Sequence, residues 1–166
     1  VLCGMALAVV LVTGTMVTGA GPHAGDKSIE SPVPRLGLDI DIWEVVEAAA
    51  TKPFGFQPFY PGPGVGGHCI PLDPQYLAWR AREANIATRF IDVAEQVNSM
   101  MPAYNTDRIA AILNDRGLPV HGTRILGVGI AYKPDIADDR ESASLDVLAD
   151  LRRRGALISV LDPLVG

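Results

Sequence analysis

From Lys52 to Pro63 the chain reads KPFGFQPFYPGP, and its four prolines and two glycines exclude any regular structure there. Glycine remains dense through the next stretch, PGPGVGGHC, which runs to Cys69. Whatever the chain folds into must be built around this long irregular segment. Ahead of it, Asp41 with Glu44 three positions later has the spacing of a capping box. Ile42, Val45, Val46 and Ala49 then share one helical face. Behind it, Asp73-Pro74 reads as a helix start, with Asp as N-cap and Pro at the first helical position, where its missing N–H costs nothing. Leu77, Ala78, Ala81 and Ala84 form the stripe expected to be buried. A longer helical pattern runs from about Thr88 to Arg116, with Phe90, Ile91, Val93, Ala94 and Val97 in register, and is expected to bend or break at Pro102. Ile109, Ile112 and Leu113 continue the stripe to a C-terminal cap at Gly117.

The last third has a different texture. RILGVGI, from Arg124 to Ile130, reads as a strand, the segment from Ser142 to about Arg154 as a helix ended by Gly155, and ALISVLDP as a second strand. Strand, helix, strand is one unit of a parallel doubly wound sheet. Such a sheet needs more strands to bury both faces, so the chain reads as a fragment. The predicted class is therefore α followed by α/β. The 166 residues are 48% hydrophobic and 20% charged, which suits a buried core. A net charge of −5 argues against a general nucleic-acid binder, which needs clustered cations. Two cysteines, Cys3 and Cys69, make neither a disulfide framework nor a four-thiolate zinc site, and a reduced, cytoplasmic setting follows.

Cys69 is the sharpest chemical feature. Gly62, Gly64, Gly66 and Gly67 precede it, so backbone N–H groups can approach a ligand closely, and a helix start lies just beyond. An exposed sulfur nucleophile on such a loop suits covalent chemistry at a carbonyl, although free cysteine also serves as a small buried hydrophobe. His68 adjoins it, but no second His or Cys stands at metal-ligand spacing, since only His23 and His121 remain. Asp73 is fully explained as a helix cap and is equally open to a catalytic role. Lys133 follows a strand end, where parallel sheets bind ligands, and suits a phosphate or carboxylate as well as a solvated loop. Arg140 stands among Asp138, Asp139 and Glu141 and has pairing partners at hand. Gly127 and Gly129 give a G-x-G, but the third glycine of a dinucleotide fingerprint is replaced by Tyr132, so no NAD site is read there.

Taken in order, KPFGFQPFYPGPGVGGHCIPLDPQYL, NSMMP, GVGIAYKPDIADDRES and VLDP resemble the NAD-dependent nucleotide-sugar dehydrogenases, in particular those acting on UDP-N-acetylmannosamine or UDP-N-acetylglucosamine. The resemblance covers Leu36 to Gly166. It implies a partial central helical dimerisation domain over 36–118, then at 119–166 the first βαβ unit of a Rossmann-like UDP-binding domain. It also implies two oxidations of a sugar primary alcohol at the expense of NAD. In that chemistry Cys69 would capture the aldehyde as a thiohemiacetal that becomes a thioester, and Asp73 would hold or activate the hydrolytic water. The glycine loop, with Lys52, Tyr60 and Lys133, would contact the UDP-N-acetylhexosamine. Arg140 would reach toward the cofactor or brace the domain junction. The helices from Pro74 to Arg116 would form a homodimer contact, and the enzyme would be cytoplasmic.

The family's NAD-binding domain, and its catalytic Lys and Asn on a helix before Leu36, have no counterpart in residues 1–35. That segment opens with the apolar run VLCGMALAVVLV and is read as a clipped export signal, a buried apolar helix or a frameshifted stretch. The last is favoured because no Lys or Arg precedes the run. The rival functions are a cysteine acyl-transfer enzyme or hydrolase pairing Cys69 with His121, and a non-catalytic module anchored in a membrane by Val1–Val12.

Overall fold

The computed structural model describes residues 9–12, 15–18, 41–59 and 62–165. Helix α1 (Ile42–Ala50) starts as its sequence predicts, with Asp41 as N-cap and its Oδ1 accepting from Trp43 N at 2.8 Å. The described residues after it, 51–59 and 62–68, form irregular chain. Helix α2 (Cys69–Glu83) follows, then α3 (Arg89–Asp115), strand β3 (Arg124–Val128), α4 (Ala143–Arg153) and strand β4 (Leu157–Leu161). Two strands, β1 (Val9–Val12) and β2 (Thr15–Thr18), precede them.

The start of α2 corrects the sequence reading. Asp73 is not the N-cap; the helix begins at Cys69 with His68 in the cap position, and Pro74 lies inside it. A helix's first four N–H groups have no intrahelical partner, so Pro71 in the first turn sacrifices nothing. Pro74 removes only the bond its nitrogen would give to Ile70 O. The predicted buried stripe is also narrower than expected. Ala78 is completely buried, but Leu77 is 61% exposed, because α2 touches the remaining protein along little more than one edge, mainly against α3.

Helix α3 runs unbroken through Pro102. Proline deletes one donor, to Asn98 O, and the turn around it is held by side chains instead. Asn105 Nδ2 donates to Met101 O at 2.8 Å, and the buried Thr106 Oγ1 donates to Pro102 O at 3.0 Å. The C-terminal half of α3 carries the core: Leu113 packs with Ile125, Val147, Leu151 and Ala156, with Ile109, Leu118, Val120 and Ile158 around them. Its N-terminal half turns Phe90, Val93 and Val97 to the surface.

Helices α2, α3 and α4 end alike. A left-handed residue (Asn85, Gly117 or Gly155) donates to the carbonyl three before it, and the next residue, Ile86, Leu118 or Ala156, donates to the carbonyl five back. This double bond pattern satisfies carbonyls the helix leaves open.

Strands β3 and β4 pair in parallel from Arg124↔Leu157 to Val128↔Leu161, with α4 between them in sequence, as the βαβ reading requires. The sheet has four strands in the order β2-β1-β3-β4. Strand β1 pairs antiparallel with both β2 and β3, with Leu11 opposite Leu126 and Val12 opposite Ile125. The end of the apolar opening is thus strand, where a helix was one of the readings; 1–8, 13–14 and 19–35 lie outside the described residues. Among the described residues no helix is long and apolar enough to cross a membrane.

Candidate functional site

Cys69 is the first residue of α2, with a free, exposed thiol. The unpaired N–H groups of a helix's first turn gather at this end and favour negative charge. Asp73, also exposed, follows four residues later, one turn along the same face.

The loop leading to Cys69 is clamped from two sides. From α3, the Asn98 side chain accepts from Val65 N at 2.7 Å and donates to Val65 O at 3.3 Å. From the turn after β3, Glu141 O accepts from Gly67 N at 3.2 Å. The approach is too close for side chains. A Cβ on Gly66 would stand 2.5 Å from Glu141 O, and one on Gly67, where φ is +85°, 2.8 Å from the Tyr132 ring. At Gly64 a Cβ would come 3.0 Å from Ala143 Cβ. The room left by these three glycines is therefore filled by the protein itself, whereas Gly62 faces open space.

Tyr132 joins the two halves of the site. Its ring meets His68 edge-on with centroids 6.3 Å apart, and Lys133 Nζ lies 5.4 Å from its centre. Through this ring the exposed Lys133 is brought to the loop that carries Cys69.

The turn bearing Tyr132 is itself tethered by Asp162, just beyond β4. One carboxylate oxygen accepts from Ile130 N at 2.7 Å and Ala131 N at 3.2 Å, the other from Leu164 N at 2.8 Å and Val165 N at 3.1 Å. These donors, Ile130 N first, hold the carboxyl down at about 2. Arg140 grips Asp138 through Nε at 2.9 Å and Nη2 at 2.7 Å, and this pairing likewise lowers Asp138 to about 2. The guanidinium predicted to reach a cofactor is thus already engaged.

Of the remaining predicted residues, Lys52 is exposed with its Nζ 5.9 Å from the Phe54 ring centre, in the irregular chain preceding the site, and Tyr60 lies outside the described residues. His121 stands at the other end of the sheet. Its ring abuts Gly155, and Gly122 N donates to Gly155 O where β3 and β4 begin, whereas Tyr132 follows the far end of β3. Five strand residues span roughly 16 Å, so the structure removes the Cys69–His121 pairing. A mostly apolar cavity of about 340 Å³ opens behind the loop between α2 and α3, with Val65, Ile70, Phe90, Ile91, Glu95 and Asn98 among its walls.

Asn98, Tyr132 and Asp162 were not among the site residues read from sequence. Each lies in one of the motifs quoted above (NSMMP, GVGIAYKPDIADDRES and VLDP), but Asn98 and Asp162 meet backbone groups of Val65 and Ile130, and Tyr132 meets the His68 ring, all far along the chain, where no spacing rule exposes them.

The sequence matches the central domain of the UDP-glucose/GDP-mannose dehydrogenase family over residues 35–100 and the UDP binding domain of the same family over residues 126–166. The chain belongs to that family. It is 34% identical over 126 residues to a UDP-N-acetyl-D-mannosamine dehydrogenase of Methanococcus maripaludis, an alignment covering 76% of this chain and 28% of the relative. It is also 34% identical over 131 residues to a UDP-N-acetyl-D-glucosamine 6-dehydrogenase of Pseudomonas aeruginosa, covering 79% and 30%. Among solved structures, UDP-D-ManNAc dehydrogenase from Pyrococcus horikoshii superimposes with a TM-score of 0.67 at 30% identity, over 76% of this chain and 29% of that one. The chain thus spans about three-tenths of the length of these relatives.

Proposed function

We propose that this chain is the substrate-capturing part of a UDP-N-acetylhexosamine 6-dehydrogenase, with Cys69 as nucleophile. The observation that carries the reading is an exposed free thiol on the first residue of α2, at the end of a glycine loop fastened to the turn that presents Lys133. In this reading the Cys69 sulfur adds to the C6 aldehyde of the sugar, and the oxygen takes up a proton to give a thiohemiacetal. Loss of a hydride from its carbon and of the hydroxyl proton turns that adduct into a thioester. Water then adds to the acyl carbon, and the sulfur leaves as the carboxylate forms. Asp73, one helical turn from the sulfur, is assigned to orient that water. Lys133 is assigned to the diphosphate, for which a cation on a sheet-end turn is suited.

NAD is the hydride acceptor that the family likeness brings, and the described residues offer it no cradle. Gly127 is packed under Leu148, where a Cβ would stand 2.7 Å from Cδ1, and Tyr132 occupies the third fingerprint position. No residue of this chain is therefore given a part in the hydride transfer. Homodimerisation through α2 and α3 belongs to the same reading, and its support is the row of exposed apolar side chains at Leu77, Trp79, Phe90, Val93 and Val97. A reducing, cytoplasmic setting suits the free thiol.

The test is protection of Cys69 from iodoacetamide, read by peptide mass mapping so that Cys3 is counted separately. UDP-N-acetylhexosamine 6-aldehyde is expected to slow alkylation, and the same aldehyde sugar without UDP at equal concentration to do far less. Alkylation at an unchanged rate would refute the reading.

A further inference from the structure

We propose that Asn98 is the positioning residue of the Cys69 loop: its amide holds the loop by reading both backbone groups of Val65, four residues before the nucleophile. The inference rests on the dehydrogenase reading for its functional meaning and on geometry for its content. Val65 offers a donor and an acceptor to one side chain at 2.7 and 3.3 Å, and an amide is the group that presents an acceptor and a donor side by side. Aspartate would keep the first bond and set a carboxylate against Val65 O. Alanine would leave both Val65 groups without this partner. Asn98 Oδ1 stands 3.6 Å from where a Gly64 Cβ would be, so the loop lies flush on the amide. Because α3 is rooted in the core at Leu113, this contact refers the loop to the rigid part of the molecule.

The same position explains why positioning and folding can be told apart. Asn98 borders the apolar cavity and lies away from the Leu113–Leu151 cluster, so its loss should release the loop more than the fold. Glu95 is the titratable group among the residues lining that cavity, and it must be followed alongside any acid form created at position 98.

The experiment compares the full chain with Asn98→Ala and Asn98→Asp by three readouts: the Val65 amide signal in 15N-resolved NMR, the rate of Cys69 alkylation by iodoacetamide, and UDP affinity. In Asn98→Ala the Val65 amide should move upfield and the Cys69 rate should change severalfold. UDP affinity should fall severalfold as the loop loosens, while the thermal midpoint stays within a few degrees. In Asn98→Asp these defects should be present at neutral pH and recede once the new carboxyl is protonated, because the acid again carries a donor beside an acceptor. An Asn98→Ala chain with an unmoved Val65 amide and an unaltered Cys69 rate would overturn the proposal. So would Asn98→Asp defects that show no dependence on pH, or that track Glu95→Gln instead. If the wild-type chain does not bind UDP, the dehydrogenase reading falls, and the positioning claim is judged on the Val65 and Cys69 measurements alone.

Discussion

Asp162 shows how much structure one side chain can command. Its two oxygens collect four backbone N–H groups from the segments that follow β3 and β4, and no neighbouring cation is needed. A carboxyl held at about 2 in the folded protein, against roughly 3.9 in the unfolded chain, contributes stability that is fully present above pH 4 and is lost as pH falls toward 2. Asp138, held at about 2 by Arg140, acts in the same direction. Urea midpoints measured from pH 5 to pH 2 should therefore drop, and Asp162→Ala should flatten part of that slope as well as lower the neutral-pH midpoint. A variant with the wild-type slope would show that the four contacts do not survive in solution. At Cys69 the expectation is chemical: Cys69→Ser should retain the fold and lose any covalent aldehyde adduct and any acid formation assigned to this thiol. Unchanged acid formation by a complete enzyme carrying that substitution would take the nucleophile's role away from it.

Among the elements, α2 and α4 make a useful contrast. The βαβ unit was legible because its apolar residues sit where a strand or a helix needs them, and Gly155 marks the turn between helix and strand. Leu151, fully buried in the resulting core, should cost about 2–5 kcal/mol when cut to alanine, measured by chemical denaturation. Helix α2 was placed five residues late because Asp73-Pro74 has the form of a helix start. The residues before it, Cys69 to Leu72, need no hydrogen-bond partners as a first turn, so little in their side chains announces the helix. The consequence reaches the candidate site: the sulfur is on the helix itself, closer to its positive end than the sequence suggested. Gly66 gives the complementary test. Alanine there must push Glu141 O or Tyr132 aside, so Gly66→Ala should detach the loop from the β3 turn and change the alkylation rate of Cys69 by at least severalfold. A Cys69 rate equal to wild type would mean that the contact does not govern the thiol.

At the scale of the molecule, the sequence resemblance conveyed the family and the order of helical and βαβ parts, whereas the contacts between them had to be seen. Asn98 to Val65 spans 33 positions and Ile130 to Asp162 spans 32, and neither partner in the backbone has a side-chain signature. The exposed apolar surface of α2 and α3 was likewise hidden, because a helical stripe does not reveal whether it faces this chain or another. If that surface is a subunit contact, Phe90→Glu with Val93→Glu should shift the chain from dimer to monomer in sedimentation equilibrium without unfolding it. A wild-type chain that is monomeric at high concentration would dispose of the contact.

Tyr132, with its Cβ against Gly66 and its ring against Gly67 and His68, ties the turn after β3 to the loop that leads to the sulfur. A nucleotide that tugged on the sheet-end turn would thereby adjust the aim of a thiol in another region of the sequence. Grafting a foreign βαβ segment onto these helices would consequently retune the cysteine even if every residue around it were kept.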